Sequence, residues 1–328
     1  MVRDDVAWLY SMSMSSHDSP WQGPLGVTLA PHMARVVHEG IDFLSHRRPD
    51  VARSLKRDLS AAIEQARHTI KLVHDDHRSV VEILAAFDEI AELHAARFSF
   101  GPDLAIASWR GSPIYSSRSA EYQTLAAITA PDPHGTSVTM GQSMATILQS
   151  GFGVPVPRWT QLDLPEAEAP ESVDYRGKSY YPDAYPGLDG TAEKDLLLTV
   201  ETSLNAAALY RACTQGRFIG PVFRTQLLSF VHAVSTISTL ATRPGMRIPD
   251  SVMQLLEEEH WQWLAKQSAL RNRAMHYGVP PQLSGVSADA PMYGLVEAIT
   301  GRTFAEVDAH LIAGSARLGE ELASWRGA

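Results

Sequence analysis

Near the end of the chain, Arg271, Asn272, Arg273, Ala274, Met275 and His276 bring together groups suited to moving protons and holding a phosphate. An imidazole ordinarily titrates near neutrality, so His276 suits general acid–base work. The Arg271 guanidinium suits paired contacts to phosphate oxygens. Asn272 precedes His276 by one helical turn, a spacing that lets it orient the imidazole or a phosphate oxygen. The three are the expected catalytic residues, with Lys266, Arg273 and Tyr277 as expected substrate contacts. The chemistry they suit is cleavage of a phosphodiester that carries its own nucleophile, as RNA does in its 2′-hydroxyl. A second reading stays open, because a helix C-terminus favours Arg and His through its dipole alone.

Two other groupings carry weaker chemistry. Glu257 and His260 have the Glu-x-x-His spacing that aims a carboxylate and an imidazole at one ion in metal-binding helical bundles. Completing such a site would draw on His74, His77, Asp88, Glu92, Glu64 or His68. Gly141-Gln142-Ser143 lacks the second glycine and the preceding strand of a nucleophile elbow. There is no glycine-rich phosphate loop and no dinucleotide fingerprint, so no cofactor is expected.

Arg, a polar residue, three further residues and then His is the motif of HEPN domains, and Arg271-Asn272-x-x-x-His276 resembles it. Those domains are small helical bundles with the motif on a late helix. The resemblance covers residues 191–328 at most, and in motif terms only Arg271 to His276. It implies metal-independent RNA cleavage, with the Arg and His of two protomers meeting across a homodimer interface, and a bacterial stress or anti-phage role. Many members bind or scaffold without catalysis, so a non-catalytic interaction protein of the same fold is the alternative. Some members carry a modified Tyr two residues after the His. Here Tyr277 is one residue after and Gly278 holds that place, so no such modification is inferred.

The elements that must position these residues read as helices. Apolar residues recur every three or four positions over Val51 to His74 and over Ser79 to Phe98. The short polar joint between them, residues 75–78, favours an antiparallel helical hairpin. Ala30 to Leu44 has a weaker helical pattern. Thr191 to Thr214 and Gly220 to Ala241 are strongly patterned. Asp250 is a natural N-cap for one long helix to Tyr277, which Gly278, Pro280 and Pro281 stop. A short helix is expected near Met292 to Ile299. Thr303 and Glu306 form a capping box that opens a final helix.

The middle differs. Pro, Gly, Ser and Tyr cluster there, only Ala120 to Thr129 and Thr139 to Leu148 look helical, and no strand pair stands out. Residues 164–172, acidic and bounded by prolines, read as a mobile loop. Trp159, Tyr175, Tyr180, Tyr181 and Tyr185 suit either base stacking or anchoring of an irregular segment onto a core. His46, Arg47 and Arg48, with Arg53, Lys56 and Arg57, suit either phosphate or plain solvation.

Composition bounds the rest. The chain has 328 residues, 45% hydrophobic and 20% charged, enough to bury a core in one large domain or two smaller ones. The net charge of −9 excludes a surface built for non-specific phosphate binding, leaving room for a local basic patch. The lone Cys213 rules out an internal disulfide and reads as a small buried hydrophobe. No signal-peptide pattern and no run approaching the ~20 apolar residues of a membrane span is visible, so a cytoplasmic protein is expected. The reading is an all-α protein of helical bundles with an irregular Pro/Gly/Tyr-rich middle: a helical region over 1–110, a connecting segment over 111–190 and a HEPN-like four-helix bundle over 191–328.

Overall fold

A computed structural model describes residues 1–58, 63, 80–128, 133–156, 164–277, 286 and 290–327. The chain is overwhelmingly helical, as its periodicities predict. Helices α1 (Val2–Ser16), α2 (Gln22–Arg47) and α3 (Pro49–Asp58) open it, followed by α4 (Val80–Arg97). The joint at 75–78, with His74 and His77, lies outside the described residues. Helix α2 starts well before Ala30 and runs through Pro31.

The middle segment holds what the sequence reading lacked: an antiparallel sheet of β1 (Leu104–Trp109), β2 (Ser112–Ser116) and β3 (Glu171–Tyr175), ordered β2-β1-β3. Arg110 and Gly111 both have positive φ, 50° and 80°, the backbone of a tight two-residue hairpin turn. Pro113 sits in the edge strand β2, where it takes no inner ladder bond. The presumed loop over 164–172 thus ends inside β3, and Glu168 is bonded by Arg110 at 2.6 Å. Helices α5 (Ser117–Ile128) and α6 (Pro133–Thr146) follow β2, and a π-helical turn (Ile147–Gly151) extends α6. After β3 comes the single turn α7 (Gly177–Tyr180).

Trp159 lies outside the described residues; Tyr181 and Tyr185 anchor the segment. Tyr185 donates to Glu201 Oε2 at 2.5 Å, Tyr181 bonds Asp195, and Trp325 Nε1 donates to the Pro186 carbonyl at 2.9 Å.

Helix α8 (Thr191–Thr214) is the axis of the molecule. It is buried nearly all round, packed by α9 (Ile219–Ala241), α4, β2 and the last helix α14 (Phe304–Arg326). Thr303 caps α14 with the reciprocal Glu306 bonds of a capping box. Between α9 and α14 the expected single helix to Tyr277 is three: α10 (Asp250–Glu257), α11 (Glu259–Ala265) and α12 (Ser268–His276), with α13 (Pro291–Thr300) after them.

Neither break has a proline or glycine. At Glu258 the backbone turns extended (ψ 127°), and its carboxylate takes both arms of Arg317 at 2.8 and 2.9 Å. The turn lets Trp261 drop against Phe230 and the bare backbone of Gly314, where a Cβ would lie 2.6 Å from the indole. Tertiary packing of one tryptophan overrides a good helical sequence.

Two hydrophobic cores result. One joins α8 to α14 with Phe87 and Ile90 of α4, Leu104 and Ile106 of β1, and Tyr181 and Tyr185. The other joins α1 and α2 with Met144, Ile147, Leu209 and Tyr210. Both draw on α8. Cys213 lies in the second, and burial pushes its thiol up to about 12, which keeps it protonated and unreactive. Among the described residues no helix is long and apolar enough to cross a membrane.

Candidate functional site

Leu270 and Ala274 bury one face of α12, which fixes its rotation. The helix ends at Tyr277, whose φ of 53° is left-handed, a conformation a bulky residue adopts only when its surroundings hold it there. They do. The Tyr277 hydroxyl donates to Asp5 Oδ2 at 2.6 Å, and the ring lies under the guanidinium groups of Arg224 (4.5 Å) and Arg35 (5.2 Å). Asp5 also takes ion pairs from Arg35 and Arg224. Arg35 Nη1 donates to the Met275 carbonyl at 3.3 Å, satisfying one orphan acceptor at the helix end. Three distant segments thus clamp the terminus from below.

The clamp presents His276 to solvent. Its side chain is 56% exposed, and Nδ1 lies 3.5 Å from Oε1 of Glu39, itself 15% exposed. Burial alone would raise the Glu39 carboxyl. Hydrogen bonding and charge from His276, with Arg35 and His38 beyond, outweigh burial and hold Glu39 below the ordinary carboxylate range. The pair opens on a cleft of about 630 Å³ that Arg3, Asp42, His46 and Arg47 also line. Glu39, Asp42 and His46 stand on one stripe of α2. Phe43 stacks on Phe152 at 5.0 Å, and Arg47 covers Phe43 at 4.8 Å, giving the cleft a flat aromatic wall beside a cation.

The structure brings only part of the expected site together. His276 and Tyr277 line the cleft; Arg271, Asn272, Lys266 and Arg273 do not. Arg271 bonds the Asn272 side-chain carbonyl at 3.2 Å. Its charge bears on buried His232 of α9, whose imidazole is kept unprotonated first by burial and then by Arg271. Asn272 therefore serves Arg271 rather than the imidazole, and the imidazole's partner is Glu39. Tyr277 commits its hydroxyl proton to Asp5. Lys266 donates to Gln262 at 3.1 Å on the surface, and Arg273 is exposed.

The metal alternative loses its geometry. Glu257 ends α10 and His260 lies in α11, so the extended Glu258 between them removes the shared helical turn. His260 instead contacts Glu258 at 3.3 Å and packs on Trp261. Glu64, His68, His74 and His77 lie outside the described residues. Among the described residues no group of three or more His, Cys, Asp or Glu is placed to hold a metal ion.

A second polar cluster lies under the sheet. His94 Nδ1 faces the Asp103 carbonyl at 3.1 Å, and its Nε2 meets Glu121 in a short contact. Arg118 bridges Asp103 and Asp195, each at 3.0 Å. Tyr181 bonds the other oxygen of Asp195. Burial pushes the Asp195 carboxyl up to about 6 against the opposing pull of Arg118. His94, Glu121, Arg118 and Asp195 are all buried.

No protein-family model, curated protein or solved structure matches the chain.

Proposed function

We propose that the chain binds and acts on RNA at the α2–α12 cleft, with His276 as the proton-transferring group and no metal required. One observation supports this above the others: an exposed imidazole, paired with a half-buried carboxylate, opens on a wide cleft that also holds Arg3 and Arg47. In the reaction proposed, His276 takes the proton of a ribose 2′-hydroxyl. The O2′–P bond forms, the P–O5′ bond breaks, the leaving oxygen takes a proton from water in the open cleft, and His276 later releases its proton to solvent. The products are a 2′,3′-cyclic phosphate and a 5′-hydroxyl end. Glu39 positions the imidazole, and Arg3 and Arg47 offset charge on the phosphorus oxygens.

Because Arg271 does not line the cleft that His276 opens on, the reading includes a homodimer in which a second copy brings its Arg271 there. A cytoplasmic setting and a bacterial defence role accompany it through the HEPN resemblance alone.

Purified protein incubated with mixed RNA oligonucleotides in EDTA tests the reading. The expected result is cleavage leaving cyclic-phosphate ends, reduced on the order of 10²-fold or more in His276→Ala. RNA bound but uncut would support the non-catalytic alternative at the same cleft. Neither binding nor cleavage across several RNAs would overturn the proposal.

A further inference from the structure

Beside the His276 cleft, and sharing Arg3 and Pro291 with it, lies a second space of about 490 Å³. On its floor is Arg224, 1% exposed. A guanidinium carries five N–H donors, and those of Arg224 are poorly matched. Nη1 faces Asp5, whose Oδ2 is already shared with Arg35 and Tyr277. The Tyr277 side chain is a further partner; among the described residues Nη2 reaches the thioether sulfur of Met292 at 3.8 Å, a weak acceptor, and Nε has no partner. The N-terminus of α9, a 23-residue helix, opens on the same space at Ile219 and Gly220. Its N-cap Phe218 supplies no side-chain acceptor. A buried, under-satisfied guanidinium beside an uncapped helix N-terminus suits an anion with several oxygens.

The rest of the wall says what the anion is attached to. Tyr293 lines the space with one face of its ring stacked on Phe304 at 4.0 Å, and the residue is still 38% exposed. Met292 and Phe218 continue that apolar side. Asp4, bonded by Arg3 at 2.9 Å and paired with the Met1 ammonium at 3.5 Å, also lines the space and offers a carboxylate of the kind that accepts a ribose hydroxyl.

We infer that this pocket holds one nucleoside monophosphate unit: phosphate at Arg224 and the start of α9, base against Tyr293, sugar toward Asp4. The inference deepens the RNA reading above and rests on it for the ligand class, since the unit is either a free mononucleotide or one residue of an RNA strand leading to His276.

Calorimetric titration at low salt with AMP, adenosine and inorganic phosphate tests it. AMP should bind saturably, and adenosine and phosphate roughly ten-fold or more weaker, because each keeps only half the contacts. Tyr293→Ala and Arg3→Ala, both changes at accessible positions, should each weaken AMP by about 5- to 10-fold. Arg224→Lys, which keeps the buried charge, should weaken it further. An RNA oligonucleotide that displaces AMP identifies the RNA strand as the source. AMP that stays bound against RNA identifies the free nucleotide. No saturable AMP binding, or AMP binding indifferent to both Tyr293→Ala and Arg3→Ala, overturns the inference. His276→Ala should leave AMP affinity within two-fold, so failure of RNA cleavage and failure of this pocket are read separately.

Discussion

Two of the described histidine–glutamate pairs, His94 with Glu121 and His276 with Glu39, are set apart by their surroundings. His94 and Glu121 meet in a short contact with both side chains buried, backed by the Arg118 bridge between Asp103 and Asp195. His276 and Glu39 meet at 3.5 Å at the rim of a wide cleft, with the imidazole more than half exposed. The first pair is buried on both sides, with both imidazole nitrogens engaged. The second has an exposed imidazole, nearby cations and space. Residue type alone does not distinguish the two pairs; access to solvent does.

If the sealed cluster is structural, breaking it should cost stability more than any change at the cleft. Arg118→Met leaves Asp195 buried without its cation. Removing one partner of a buried pair typically costs about 3–5 kcal/mol, so urea unfolding should show a loss of that size. A cost under about 1 kcal/mol, the range of exposed pairs, would erase the contrast between the two regions.

Protonation gives the next largest effect. The folded Asp195 carboxyl lies at about 6, above its ordinary value near 3.8. Below pH 4 both folded and unfolded chains hold that proton. Between pH 4 and 6 the unfolded chain releases it while the folded chain keeps it, so this group makes stability fall as pH rises through that window. The contribution is on the order of 3 kcal/mol. Asp195→Asn removes the titration while keeping an acceptor for Arg118. Denaturation curves at pH 4, 5 and 6 should show a shallower decline in the variant; an unchanged slope would place the titration elsewhere.

How much of this was legible in the sequence follows the range of the forces involved. The bounds of α8 and the capping box at Thr303 and Glu306 are local, and the apolar period and the Thr-x-x-Glu signature give both. The hairpin was missed because Arg110-Gly111 is a weaker turn dipeptide than Asn-Gly, and β1 is only six residues long. The break at Glu258 carries no local mark, since its cause is the fit of Trp261 against Gly314 on another helix. His276 was visible as a residue type. Its partner Glu39 was not, because nothing near His276 in sequence points to α2. The stripe Glu39, Asp42, His46 was readable as one face of a helix, but the predicted end at Leu44 cut His46 off from it. Asp5, which holds Tyr277 in its left-handed turn, had no signal at all: an acidic residue in an N-terminal helix reads as solvated until Arg35 and Arg224 close over it.

The smallest expected stability effect is also the sharpest test of the comparison. His276→Ala removes an exposed side chain whose one described partner, Glu39, remains in contact with water and within the field of Arg35. Surface changes of this kind fall within about ±0.5 kcal/mol, so the unfolding midpoint should barely move. The RNA-directed activity proposed for the cleft should nonetheless collapse in the same preparation, while Glu39→Gln, which keeps shape and loses charge, falls between. That pairing of intact stability with lost activity is what a chemical histidine produces and a structural one does not. If His276→Ala unfolds as readily as Arg118→Met, then His276 belongs with His94 as part of the clamp at the end of α12, and the cleft loses its proton-transferring group.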